Sequence, residues 1–529
     1  MGFWNVYFIC KIALHLAGSI ALHPWFNLAL AAVLLLPLPR PALRLPRQIA
    51  AVVAAVALLY YESFLPPFRS LISQAGAVTG FSLDYLGELV TRVVEPHLVV
   101  WLVLLVAVYT VLTRWLRVTS FVLLALLVVP FLPLPRAGSG ATAPVGAVAA
   151  APSPYARVDD GSRLTASTTP AELERAVDRF FAREERRTLA FPPVTQDVDI
   201  IMIQVCSLAW ADLNAIGQQN HPLLSRFDVL FTNFNSAASY SGPAAIRLLR
   251  GTCGQEPHDA LYDPVAPECQ LMTRLQQAGF RPQLLMNHDG HFGNFRSDVA
   301  GRGGLDVAPQ PTGTARVTMQ SFDGTPITGD YDTLHDWWQR RRAGRDPRVA
   351  LYYNTISLHD GNRLPEAGGW LKSYPRRARR LLDDLDRFIG ELEGSGARAI
   401  VVVIPEHGAA YHATPGGIAG LRQVPGPDVT LVPVGVRLVG LPLQATSRPL
   451  RVEASTSYLG LNQFLANVMT AVERNSGPIA LRPLVAQLHA TPFVAEHDGL
   501  MVVRAGEGYY LRSPDRRWKA ETFPVPGGR

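Results

Sequence analysis

The chain has 529 residues, 48% of them hydrophobic and only 17% charged, against about 25% charged in an average soluble domain. Just 12 of its 92 charged side chains fall in residues 1–135, a stretch that also carries +4 of the +6 net charge. This excludes a uniform soluble domain and a disordered chain, and it leaves no clustered basic face of the kind nucleic acid requires.

Five apolar runs open the chain, at 3–22, 25–39, 49–65, 98–112 and 121–134. A transmembrane helix needs about 20 apolar residues and tolerates about 17, so about five spans are expected, four if the shorter runs fail. Arg40, Arg44 and Arg47 lie between the second and third runs, and Arg114 and Arg117 between the last two. By the positive-inside rule both loops are cytoplasmic. The 66–97 loop mixes acidic and basic residues and suits the outside. Everything after residue 134 is then external, which in a bacterium means an inner-membrane, multi-pass protein with a large periplasmic domain.

Residues 136–168 are rich in Ala, Gly, Pro, Ser and Thr and read as a flexible linker. Residues 169–187 alternate apolar and charged side chains at helical spacing, with Pro170 suited to a first turn. This helix lies against the outer domain or the membrane surface, or is a solvated connector. The expected organisation is a membrane domain at 1–135, a linker and amphipathic helix at 136–190, and an outer domain at 191–529.

In the outer domain, strands are expected at 198–205, 228–231, 283–286, 349–358, 399–404 and 430–438. Helices are expected at 243–250, 268–278, 331–342, 375–393, 457–473 and 481–488, and a hairpin at 499–511 around Gly506. Near-continuous apolar strands between helices imply an α/β fold, a mostly parallel sheet covered by helices on both faces. Trp337, Trp338 and Trp370 are sugar-stacking candidates, with core burial the commoner fate.

Chemistry in such sheets gathers at the carboxyl ends of strands. Cys206 follows IIMIQV, His359 follows YYNTISL, and Glu406 and His407 follow AIVVVIP. A thiolate, a carboxylate and an imidazole together suit zinc with a fourth position open. Neighbouring residues on a strand point to opposite faces, so Glu406 and His407 can serve one ion only if the backbone turns there; Gly408 permits a turn. A buried cysteine beside a surface Glu-His pair is the alternative. Ser241, in NFNSAASYSGPAAIRLLR, sits at an N-cap position ahead of Pro243. It is a cap, or a nucleophile activated by a metal at a helix N-terminus. His288-Asp289-Gly290-His291 is a second-metal, head-group or purely structural loop.

The strings CSLAWADL, NFNSAASYSGPAAIRLLR and IPEHGAA, in that order, resemble those of the alkaline phosphatase superfamily, in particular the membrane-anchored phosphoethanolamine transferases that modify cellulose. The resemblance implies an enzyme with zinc held by Cys206, Glu406 and His407, and with Ser241 as nucleophile and fourth ligand. It implies further active-site positions at Tyr240, His359 and Arg422, for phosphate binding and proton transfer. It also implies a Cys253–Cys269 disulfide. Phosphatidylethanolamine would be the donor, cellulose (at glucosyl C6 hydroxyls) the acceptor, and other cellulose synthase subunits and membrane lipid the partners. Two departures stand out: the lipid A enzymes use Thr as nucleophile and a carboxylate as first ligand, and sulfatases need an Arg where this chain has Ala245. A transferase for another lipid head group, acting on lipid A or carrying phosphoglycerol, and a non-catalytic scaffold remain as other readings.

Overall fold

The computed structural model describes residues 2–131 apart from 17–19, 21, 38–40, 63–81, 83–84 and 90–95, and residues 164–523 apart from 165–168, 365–368, 412–418, 446–447, 475–476 and 507. The 136–163 stretch of the expected linker and most of the 66–97 loop lie outside the described residues. The chain divides into two compact units, Met1–Ala75 with Gly87–Ala151, and Gly76–Leu86 with Pro152–Arg529.

The first unit is helical. Its helices, Trp4–Leu16, Pro24–Leu35, Arg44–Glu62, Pro96–Leu112 and Val118–Val128, coincide with the five apolar runs. Among the described residues, only Arg44–Glu62 is long and apolar enough to cross a membrane by itself. Within the unit, Lys11 and Glu62 are buried and paired, and Lys11 Nζ donates to Asn27 Oδ1 at 2.6 Å. The pairing offsets the cost of withdrawing both charges from water.

In the second unit the main sheet is built from β1 (Asp199–Cys206), β2 (Val229–Asn235), β3 (Arg281–Met286), β6 (Val349–Thr355), β7 (Ala399–His407), β8 (Leu431–Val439) and β9 (Leu450–Val452), with a small hairpin of β4 (Val317–Gln320) and β5 (Pro326–Thr328). The order is β3-β6-β1-β7-β8-β2-β9. Only β8 runs against its neighbours; every other pairing is parallel.

The strand sequences explain the layering. In β1, Ile200 and Met202 point to one core, while Ile201, Ile203 and Val205 point to the other. β7 alternates in the same way. Apolar side chains on both faces demand helices on both faces, each buried Ile or Val contributing about 1.5–3 kcal/mol. Ser241–Leu249, Leu271–Gln277 and Tyr458–Arg474 cover one face; Asp330–Ala343 and Trp370–Gly394 cover the other. Trp337, Trp338 and Trp370 are buried in this second layer, so none offers a sugar platform.

The main sheet has one strand more than expected, β9, and the β4–β5 hairpin stands apart from it; both are too short to show periodicity. The carboxyl-terminal hairpin is also larger: β10 (Val494–His497), β11 (Leu500–Ala505), β12 (Gly508–Arg512) and β13 (Trp518–Glu521) form an antiparallel sheet. The helix expected at 169–187 is Pro170–Glu184. Its Leu173, Val177 and Phe180 are buried against Met501 and Val503 of this second sheet, so it belongs to the outer body.

Candidate active site

β1 and β7 are adjacent and parallel, so their carboxyl ends deliver Cys206, Glu406 and His407 to one place. How Glu406 and His407 share a side is answered by the ladder. Val205 pairs with Pro405, yet Cys206 pairs with His407. Glu406 is therefore the extra residue of a β-bulge, which re-aims side chains without ending the strand. Pro405 fits here because a proline inside a central strand is tolerated at bulges. The expected turn at Gly408 is corrected accordingly. Gly408 is required by crowding instead: a Cβ there would lie 2.7 Å from the Ala209 Cβ and 3.0 Å from Asp212 Oδ2.

The nucleophile position also shifts by one residue. The helix begins at Ser241, and Tyr240 is its N-cap, so Ser241 is the first helical residue rather than the cap. Its Oγ lies 3.1 Å from Cys206 Sγ and 3.4 Å from His407 Nε2. Cys206 Sγ is 3.9 Å from His407 Nε2, and Glu406 Oε2 is 3.8 Å from the same nitrogen. The structure thus brings Cys206, Ser241, Glu406 and His407 together.

The supporting contacts orient these groups. His407 Nδ1 pairs with the Gly408 carbonyl at 2.9 Å, which leaves the Nε2 lone pair facing the cluster. Glu406 Oε1 accepts from Asn354 Nδ2 at 2.6 Å, whereas its Oε2 is buried without a hydrogen-bond partner. An orphaned, fully buried carboxylate oxygen is costly unless a cation or a proton meets it. Together with one sulfur and one imidazole donor, it gives a set that fits zinc. Burial pushes the Cys206 thiol and the Glu406 carboxyl up, and holds the His407 imidazole well down, helped by the charge of Arg422. A divalent cation entering there would displace the thiol proton.

Arg422 is buried; its Nη1 donates to Ser207 Oγ at 3.0 Å, and its Nε has no partner. Its guanidinium lies 5.2 Å over the Tyr240 ring. A permanent cation with an unspent donor beside Tyr240, the residue before Ser241, suits a phosphate. His359 follows β6, and its Nδ1 pairs with the Asp360 carbonyl at 2.7 Å. Burial, then the charge of Arg422, hold the imidazole down to about 4, so it is neutral near pH 7. Arg377 secures its loop by donating to the carbonyls of Ser357 and His359.

His288 does not join the site as a ligand. Its Nε2 pairs with Asn354 Oδ1 and its Nδ1 accepts from the Gly290 N–H, while His291 is paired with Asp289 and Asp323. Cys253 and Cys269 form a disulfide.

Sequence reading missed three supporting residues. Asp212 accepts from the N–H groups of Ala209 at 2.8 Å, Ala409 at 2.7 Å and Tyr411 at 3.1 Å. It thereby ties the loop after β1 to the loop after β7. Its signal was present as an acid three residues past Ala209 at a short helix start. Ser207 links Cys206 Sγ to Arg422. Tyr85, carried by the second unit's short segment from between the third and fourth apolar helices, donates to Asp360 Oδ2 at 3.2 Å; no local pattern announces it.

Comparison with known proteins then decides the family. Residues 158–518 match the family described as cellulose biosynthesis protein BcsG C-terminal domain, and residues 4–131 match the BcsG N-terminal domain. The chain belongs to the BcsG family. It is 36% identical to the cellulose biosynthesis protein BcsG of Escherichia coli, covering 97% of this chain and 95% of that one. It is 34% identical to BcsG of Salmonella typhimurium over the same shares. A solved structure described as a protein in the alkaline phosphatase superfamily, from Vibrio parahaemolyticus, aligns over 66% of this chain and 87% of its own, with 14% identity and a TM-score of 0.45. Family membership covers both units, so the helical part and the outer body of BcsG chains belong to one protein type.

Proposed function

We propose that this chain transfers phosphoethanolamine from phosphatidylethanolamine to glucosyl C6 hydroxyls of cellulose, through a phosphoethanolamine–serine intermediate on Ser241. The convergence of Ser241 on Cys206, Glu406 and His407 carries the reading, and the family supplies the link to cellulose synthesis. With its apolar helices read as membrane spans, the protein sits in a bacterial inner membrane with the outer body in the periplasm, where the lipid donor is within reach.

Cys206, Glu406, His407 and Ser241 would hold zinc, which lowers the pKa of a bound hydroxyl and neutralises charge on phosphoryl oxygens. Ser241 Oγ attacks the phosphorus, an Oγ–P bond forms, and the P–O bond to diacylglycerol breaks, the alcohol leaving with a proton. Arg422 holds the non-bridging oxygens, and Tyr240 walls the site beside it. In the second half, neutral His359 accepts the proton of the incoming glucosyl hydroxyl, whose oxygen bonds to phosphorus as the Oγ–P bond breaks, and the proton then passes to Ser241 Oγ. Each half is an in-line displacement in which positioned charge does most of the work.

The test is to incubate the detergent-solubilised protein with phosphatidylethanolamine and zinc and to analyse the Ser241 peptide by mass spectrometry. A phosphoethanolamine adduct that disappears on chelation and in Ser241→Ala is expected. Transfer to polysaccharide that persists in Ser241→Ala would end this reading.

A further inference from the structure

A second group of ligand-type side chains lies in the outer body, apart from Cys206, Glu406 and His407. His258 sits in the loop closed by the Cys253–Cys269 disulfide. His497 ends β10, and Asp498 and Gly499 form the turn into β11, with φ of 45° and 80°. Positive φ at both turn positions is the hairpin geometry that Asp-Gly favours, and it fixes where the Asp498 carboxylate is carried.

That carboxylate lies between two imidazoles. Its Oδ1 is 3.9 Å from His258 Nε2, and its Oδ2 is 3.6 Å from His497 Nε2. One ligand atom from each of the three residues lies within 4.8 Å of the others. These distances exceed a hydrogen bond, whose range is about 2.7–3.2 Å. They approach the spacing of roughly 3.3–3.6 Å between ligands that share one ion through bonds of about 2.0–2.2 Å.

His258 and His497 are only 5% and 7% exposed, and it is the Nε2 of each that faces the Asp498 carboxylate. Two imidazoles withdrawn from water, each turning Nε2 toward the same carboxylate beyond hydrogen-bond range, form an arrangement that a shared cation would join. Burial, then Arg247, holds His258 down to about 4, and burial holds His497 down as well, so both offer lone pairs at neutral pH. Arg247, the nearby cation, is set against Glu496 at 3.6 Å.

We propose that His258, His497 and Asp498 form a second metal site, for a divalent ion of the zinc class, separate from the Cys206 group. An ion there would fasten the β10–β11 turn to the disulfide loop. It would also fix the His497 ring, on which Tyr240 stacks with centroids 4.2 Å apart. Asp498 is part-exposed, so solvent reaches this end of the cluster. The metal count rests on this geometry alone; only an effect of the ion on transfer, through Tyr240, rests on the reaction proposed above.

The test uses the full chain in detergent, stripped by chelation, reloaded with zinc and analysed for zinc per chain. Wild type is expected to hold two ions, Cys206→Ala one, His497→Gln and Asp498→Asn one each, and Cys206→Ala combined with His497→Gln none. X-ray absorption of the zinc left in Cys206→Ala should show nitrogen and oxygen neighbours and no sulfur. The conservative variants keep side-chain size, and melting temperatures within a few degrees of wild type certify folding. A wild-type chain that holds one ion, all of it lost in Cys206→Ala, overturns the proposal. So does a second ion that survives both His497→Gln and Asp498→Asn. A protein with no transferase activity would leave these counts unchanged, which keeps the two readings apart.

Discussion

Two clusters in the outer body use similar residue types on different supports. Cys206, Glu406 and His407 sit at the ends of β1 and β7, in the middle of a seven-stranded sheet. His258, His497 and Asp498 sit on a loop and a hairpin turn of the second sheet. The first is fully buried and faces Ser241; the second has one part-exposed member and no nucleophile among its three residues. Where a sheet fixes the ligands, the cluster is placed for chemistry, because the backbone cannot yield as charge moves. Where loops fix them, a shared ion is suited to holding the loops.

The largest expected effect separates those roles. Ser241→Ala should lower transfer by at least about 10³-fold and abolish the adduct, yet leave zinc bound, since three ligands remain. Loss of the metal in that variant would show that Ser241 is needed to assemble the site, and would weaken the contrast. Next, removing the disulfide with Cys253→Ser and Cys269→Ser should cost about 3 kcal/mol for a loop of this length. Denaturant midpoints read that loss, and zinc at the Cys206 cluster should be retained. Asp212→Asn strikes the other support. It puts an amide where three backbone N–H groups converge, costing about 2 kcal/mol and loosening zinc at the Cys206 cluster. Wild-type zinc retention would break the claim that Asp212 holds the two loops in register.

A further effect is one of pH, confined to acid conditions. His359 is held down to about 4 in the folded protein, against 6.5 when exposed. Between those values the unfolded chain binds the proton first, so the folded state loses stability as pH falls from 6.5 towards 4. Above 6.5 the group contributes nothing. His359→Asn should therefore melt closer to, or above, wild type as pH drops through that window, and the gap should be constant above it. A gap independent of pH would show that His359 is not buried neutral.

The central strands were legible because apolar side chains on both faces leave no polar alternation to confuse the reading. Cys206, Glu406 and His407 were legible because a parallel sheet sends its strand ends to one edge, and Ser241 because it stands ahead of Pro243 at a helix start. The bulge at Glu406 was not read, although Pro405 signalled it: proline inside a strand otherwise so apolar asks for an interruption of the ladder. The one-residue displacement of Ser241 is the ordinary uncertainty of helix ends, yet it places the hydroxyl in the first turn rather than before it. Asp212 and Ser207 act through backbone and side-chain partners far along the chain, and spacing carries no record of those. His258 and His497 lie 239 residues apart, on elements too short for periodic signals, so only folding introduces them.

The burial of the Cys206 cluster has a kinetic consequence. Cys206, Glu406 and His407 are 0% exposed, while Ser241 and Tyr240 are partly open, so among these residues the cluster meets solvent at Ser241 and Tyr240. In the transfer proposed above, lipid donor and polysaccharide acceptor would meet the cluster at Ser241 in turn, the first product departing before the second substrate enters. Initial rates at several fixed acceptor concentrations should give parallel lines in double-reciprocal plots, the pattern of a ping-pong enzyme.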